Sequence, residues 1–453
     1  MRVPSWRPAA AMLAGALTIA ALTPTSAVAQ PAQDRQRGAA QEWLLVADTV
    51  AEQVYVVGAD SGQVTGTLSN VELGTHAGTL QLGGGKVAFM DESKPELDVV
   101  KVNSAGVPRI IAHYPIPNPD GEWERAGWMA ADPTHRYVAV GSDFDGSTTQ
   151  QATIVDLRTG RSHTAELTVS AVQTPSGLSN EEMEVFLVGQ PLRLVVSAGG
   201  HLDAYRVSDI MAGRSHPKAF ARTALSAYPH GPIVSADGTV VGSTVALGHQ
   251  TVRITKSGFG ASAFSLYPRP SVESYRPAMA PDGTTALGSH AGATEVGTTW
   301  DQTPAYLTIG STRRAGLRTV VLGEGSATRV TPTDDYAAVA LTSGSGDKLL
   351  LLKRNTRTDA YTGGLKSVAL EPLENGPVAG EPTTGKATRY LTATPDGDHV
   401  FVTRGGEGTI TEIDVTGTKP VSTRTITVPS ALSNGGYLIT IDANQKPYDL
   451  VAR

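Results

Sequence analysis

The feature that most constrains this chain is a phrase that recurs along it. An apolar strand runs into a tight turn such as Pro-Asp-Gly, and a Val-rich strand follows. Copies stand at Ala280-Pro281-Asp282-Gly283 before Thr284–Gly288, at Thr394-Pro395-Asp396-Gly397 before His399–Thr403, and at Ser235-Ala236-Asp237-Gly238 before Thr239–Thr244. Ala131-Asp132-Pro133-Thr134 before Arg136–Gly141 is a degenerate copy, and Leu82–Met90, Val185–Ser197 and Val330–Leu341 keep the strand pattern. Asp-Gly suits the hairpin because glycine tolerates positive φ. A third strand often ends in Asp, as in Ala152–Asp156 and Thr409–Asp414, and a fourth follows, as in Val421–Val428. Four short antiparallel strands every 44–62 residues are the pattern of a β-propeller blade.

Blades are expected to start near Thr75, Arg125, Glu184, Tyr228, Ser274, Ser326 and Thr388. Glu42–Leu68 holds only the later strands of a blade, and Gly435–Arg453 holds an opening strand, Tyr437–Asp442, and little else. The two ends then make one composite blade that closes the ring and removes the sheet edges. The fold class is all-β, a single propeller of four-stranded blades, eight of them, or seven if Glu184–Ser226 is irregular. Residues 161–183 read as an insertion in which Ser179-Asn180-Glu181-Glu182 caps a helical turn.

Composition agrees with a turn-rich β-protein: 49 Gly and 28 Pro together make 17% of 453 residues, with no collagen-like period. Residues 1–29 read differently. Arg2 and Arg7 precede an apolar run from Ala9 to Leu22, and Ala27-Val28-Ala29 is a small-residue cleavage pattern. The run is too short to span a bilayer comfortably. The expectation is a Sec-type signal peptide at 1–29, a disordered polar leader at 30–41 and a propeller domain at 42–453. The protein would be secreted or held in the periplasm or cell envelope, as a monomer without a transmembrane anchor. Cleavage would remove two Arg and no acid, taking the charge from −6 to −8. Such a balance argues against nucleic acid as a partner. With no Cys, disulfides, cysteine nucleophiles and cysteine-held zinc are all excluded.

From about residue 42 to 453 the chain resembles the YVTN/WD40-like superfamily of exported bacterial propellers, through the repeated Pro-Asp-Gly/Val-x-Val phrase. That likeness implies the fold and leaves activity open, because propellers host enzymes, scaffolds and binders alike.

No catalytic motif is evident: H-E-x-x-H, the P-loop and G-x-S-x-G are absent. Gly288-Ser289-His290-Ala291-Gly292 has Ser289 off-centre and lacks a strand-to-helix context. Asp143-Phe144-Asp145-Gly146 begins like a calcium loop, but no Glu closes it at the required distance, so it reads as a turn. Position within the repeat carries more information. His76, His230, Arg276 and Arg389 each stand 11 residues before a Val-strand residue (Val87, Val241, Leu287 and Val400), which puts a His or Arg at one mouth of the channel in four blades. Arg329 lies near that position in a fifth, and Arg125 and Trp128 near the same face, with Trp123 beside them. The loops between second and third strands carry His249, His290, Asp91, Glu92 and Asp143, and Trp300 follows His290.

Three readings stay open. The His and Arg side chains cap strand ends and join blades. Or a cationic mouth formed by His76, His230, Arg276, Arg389, Arg125 and Trp128 binds a small anion or the acidic side chains of a protein partner. Or His230, His249 and His290 ligate a metal, zinc being the ion imidazole suits, with nearby arginine working against it. His135 and His399 read as turn residues facing solvent, and His113, His163, His201 and His216 as surface residues of outer strands or loops.

The function expected is therefore an exported ligand- or partner-binding propeller. The first alternative is a zinc-binding chaperone: His76 and Pro229-His230-Gly231 resemble the histidines of periplasmic zinc-chaperone propellers, although the His-rich acidic loop of that family is missing. The second is a lactonase-like hydrolase, where Pro229-His230 ahead of Asp237-Gly238 resembles the lactonase-type propellers.

Overall fold

The computed structural model describes residues 42–453 apart from 75–76, 118–124, 144–148, 169–171, 175–176, 180–182, 199, 227–228, 230, 246, 268–275, 291–302, 328, 356–359, 374–388, 445–446, 448 and 453. The expected signal peptide and leader, His76, His230, Trp123, Trp300 and the turn at 180–182 lie outside those residues.

Eight four-stranded antiparallel sheets form the blades of a β-propeller. Blade 1 is composite: Tyr437–Asp442 is its inner strand, and Glu42–Asp48, Gln53–Gly58 and Val64–Ser69 follow outward. Its closure runs in register from Glu42 opposite Asp442 to Ala47 opposite Tyr437. The inner strands of blades 2 to 8 are Thr79–Gly83, Arg125–Ala131, Glu184–Val188, Pro232–Val234, Ala278–Met279, Val330–Pro332 and Leu391–Ala393. They begin within a few residues of the starts expected from the repeat. Glu184–Ala224 is a regular blade, so the count is eight.

The insertion is smaller than expected. Arg161–Thr168 is the outer strand of blade 3, and only a hairpin, Val172–Thr174 paired with Gly177–Ser179, follows it.

Second and third strands are buried on both faces, because each blade is packed between two others. All six residues of Tyr336–Leu341 are buried, for example. Such strands read as near-continuous apolar runs. The outer strands alternate instead, as in the mixed burial of Arg161–Thr168.

The Asp-Gly turns are built as their chemistry requires. Gly238, Gly283 and Gly397 have φ of 63°, 67° and 73°. Asp282 Oδ1 accepts the backbone N–H of Thr284 and Thr285, both at 2.7 Å. In the degenerate copy Asp132 Oδ1 accepts from the backbone of Arg136 and Tyr137. These turns also touch one another around the ring. The Ala236 N–H donates to the Gly283 carbonyl at 3.1 Å, and a Cβ on Gly283 would lie 2.6 Å from Ala236 Cβ.

One element has no counterpart in the repeat. After the inner strand of blade 1, the segment around Val451 returns into the channel and pairs antiparallel with the inner strand of blade 3 through Ala130. Ala131 N–H donates to the Leu450 carbonyl and Ala452 N–H to the Met129 carbonyl, both at 2.9 Å. Leu450, Val451 and Ala452 are buried. Among the described residues no helix is long and apolar enough to cross a membrane.

Candidate ligand site in the channel

Each inner strand begins at the same mouth of the channel. Counting back four residues from the residue that opens each turn (Asp132, Ser235, Ala280, Thr333 and Thr394) reaches Trp128, Gly231, Arg276, Arg329 and Tyr390. These are the equivalent positions of blades 3, 5, 6, 7 and 8. Arg276 and Arg329 stand where the repeat predicted a cation.

Arg389 does not. It precedes the equivalent residue, Tyr390, by one, and a one-residue slip along a strand sends a side chain to the opposite face. Its guanidinium is buried in the fold, with Nη2 2.6 Å and Nε 3.1 Å from Asp347 Oδ2. It also donates to the carbonyls of Thr403 and Glu371. Burial pushes the Arg389 pKa down, and Asp347 works against that. Arg389 thus ties blade 8 to blade 7. Glu184 does similar work in blade 4, accepting from Gly231 N–H at 2.6 Å, Ser243 Oγ at 2.7 Å and Ser197 Oγ at 3.1 Å. Capping of strand ends is therefore what these two side chains do.

The channel holds a cavity of about 330 Å³. Its cationic end is formed by Arg276 and Arg329 with the phenols of Tyr390 and Tyr437; Met279, Leu391 and Ile439 supply apolar wall. Arg329 lies over the Tyr390 ring at 4.6 Å and donates from Nη2 to the Tyr390 hydroxyl at 3.1 Å. Its Nε is buried and has no hydrogen-bond partner among the described residues. Arg276 lies over the Trp128 ring at 5.3 Å. Tyr390 and Tyr437 pack at 5.2 Å, and the Tyr437 hydroxyl takes the Thr79 N–H at 3.0 Å. Burial pushes the Tyr437 phenol up, and the charges of Arg276 and Arg329 oppose this. Asp334 and Asp449 also line the cavity. Arg125 opens the inner strand of blade 3 opposite Asp143.

His249 and His290 come together elsewhere. His249 stands on the third strand of blade 5, opposite Thr244, and His290 ends the second strand of blade 6. Both are buried against the edge of Tyr267, at centroid distances of 5.5 and 4.8 Å. His290 Nε2 is 2.8 Å from Thr308 Oγ1. Burial, with a smaller contribution from His290, pushes His249 down to about 3, so it is neutral in ordinary buffers. Its Nε2 has no partner among the described residues.

Two histidines expected to face solvent are engaged. His399 Nδ1 is 2.8 Å from Glu412 Oε1, and His135, in the left-handed region at φ 53°, is half-buried. Sequence reasoning left Arg329 outside the main set and missed Tyr390 and Tyr437. The usable signal was the turn-opening residue, a firmer anchor than the Val strand.

The architecture defines the class: an eight-bladed β-propeller with a cavity in its channel. Solved structures similar to it include apo AztD from Citrobacter koseri, at TM-score 0.60 and 13% identity over 90% of this chain and 100% of that one. A second AztD structure from the same organism gives 0.59. Dihydro-heme d1 dehydrogenase NirN in complex with DHE gives 0.58 at 13% identity, over 92% of this chain and 78% of that one. At such identity the likeness is one of fold. No protein-family model matches the chain, and no curated protein matches it in sequence.

Proposed function

We propose that this is an exported binding protein that holds a small organic anion in the channel. The observation that carries the reading is Arg329, which lines the cavity and whose buried Nε has no acceptor among the described residues. A buried donor left unmade costs about 1–3 kcal/mol, and a carboxylate or phosphate restores it with a charge-assisted bond. Arg276 supplies a second fork, held in place by Trp128. The apolar wall at Met279, Leu391 and Ile439 suits an anion with a hydrophobic body. Binding rather than hydrolysis fits the lack of a catalytic motif in the sequence. The test is thermal stabilisation by a panel of aromatic and aliphatic carboxylates and phosphate esters. A hit should stabilise the protein in proportion to the logarithm of ligand concentration, and Arg329→Gln should abolish that response. An unchanged response in the variant would remove the site from the channel.

A second reading, zinc binding at His249 and His290 with His230, is supported by one observation: the neutral, buried His249 imidazole has an Nε2 with no partner among the described residues. Zinc retained by the wild type and lost in His249→Gln would favour it.

A further inference from the structure

Blade 2 carries a polar cluster far along the sheet from the channel, on its two outer strands, Glu96–Val102 and Pro108–Pro115. Asp98 stands directly opposite His113 across the strand pair, and Glu96, two residues before Asp98, projects on the same face. His113 Nδ1 is 2.7 Å from Asp98 Oδ1 and 3.5 Å from Glu96 Oε2. One donor atom from each of the three residues lies within 4.8 Å of the others. Among the described residues this is the one such three-donor group of histidine and carboxylate.

Asp98 is unusual in the group. Its side chain is 0% exposed, yet Oδ2 has no hydrogen-bond partner among the described residues. Burial lifts its carboxyl to about 6 against the opposing hydrogen bond from His113. Other blades answer the same problem with arginine. Asp203 of blade 4 faces Arg222 across the strands, with two contacts of 2.6 Å. Glu412 of blade 8 faces Arg424, 2.6 Å away at Nη2. There a permanent cation balances each third-strand carboxylate. Blade 2 has a histidine in that place and a second carboxylate beside it. Two carboxylates and an imidazole thus meet without a permanent cation across the strand pair. Lys94, the nearby cation, is bonded to Asp91 instead.

We propose that Glu96, Asp98 and His113 form a site for one first-row divalent cation, zinc foremost. Two carboxylates neutralise its charge, and one imidazole with two carboxylate oxygens is a donor set this class of ion accepts. Bonds of about 2.0–2.2 Å in a tetrahedral arrangement need donors roughly 3.3 Å apart. The present separations of 2.7 and 3.5 Å bracket that figure. His113 and Glu96 are 53% and 26% exposed at their side chains, so a small rotation admits the ion and solvent completes the fourth position. Asp98 Oδ2, which has no hydrogen-bond partner among the described residues, is then free to join the ion as a donor. The site is independent of the channel reading.

The test uses protein without a polyhistidine tag, dialysed against zinc chloride and measured for bound metal, with isothermal titration beside it. His113→Arg installs the pairing that blades 4 and 8 already use and should keep the fold, checked by circular dichroism. The expected result is one zinc equivalent in the wild type, lost in His113→Arg, weakened at least tenfold in Glu96→Gln, and retained in both Arg329→Gln and His249→Gln. No zinc on the wild type, or an equivalent that survives both His113→Arg and Glu96→Gln, would overturn the proposal.

Discussion

The Arg276 guanidinium lies 5.3 Å from the centre of the Trp128 ring, and this contact joins blade 6 to blade 3 across the mouth of the channel. A cation over an indole face gains about 0.5–2 kcal/mol, most when water is excluded. Both residues are buried. The pairing therefore fixes where the charge of Arg276 stands.

Trp128→Phe should fold and keep a weaker cation–π partner. The expected outcome is a severalfold loss of affinity for any channel anion with little change in melting temperature. Trp128→Ala should destabilise by about 3–5 kcal/mol, as large-to-small core changes do. Titration calorimetry and denaturant unfolding separate the two effects.

Arg389 and Asp347 are 2% and 4% exposed at their side chains and bonded to each other. Removing one partner strands a buried charge, at a cost of about 3–5 kcal/mol. Asp347→Ala should therefore lower stability by that order while leaving anion affinity unchanged. A loss of affinity with unaltered stability would return Arg389 to the ligand site.

Leu450 is buried against blades 3 to 5 where the returning segment pairs with blade 3. Leu450→Ala should cost about 2–5 kcal/mol. It should also loosen the segment locally, seen as faster amide exchange at Ala131, whose N–H is held by the Leu450 carbonyl.

The Arg136 guanidinium beside Asp156 holds its carboxyl well below the usual carboxylate range, helped by the Arg158 backbone N–H. A depressed folded-state pKa stabilises above the unfolded value of about 3.9 and loses that contribution as pH falls further. The wild type should exceed Asp156→Asn in melting temperature at pH 7, and the gap should close below about pH 4. A constant gap from pH 7 to pH 2 would contradict the assignment.

The blades were legible because each Asp-Gly turn leaves a mark that owes nothing to tertiary context: a carboxylate for the next N–H groups and a glycine for positive φ. Register was harder to read. Val400 and Leu287 occupy the second strands of their blades but not the same rung, so counting from them landed on Arg389 instead of Tyr390. The Glu96–Asp98–His113 cluster was invisible because its members meet across strands 15 and more residues apart, and each alone looks like an ordinary outer-strand residue. Leu450-Val451-Ala452 is three apolar residues, too short for any periodicity to separate from a loop.

That last segment bears on how the protein comes into being. Glu42–Ser69 is made before the other blades, and its strands must wait for Tyr437–Asp442 before their sheet has an inner edge. The wall that Val451 lends to blade 3 arrives later still. A nascent chain can complete blades 2 to 8 one after another, as local hairpins form. It acquires a closed ring only once Tyr437–Asp442 has been made, so chains that stop short of it have blades and no closed channel.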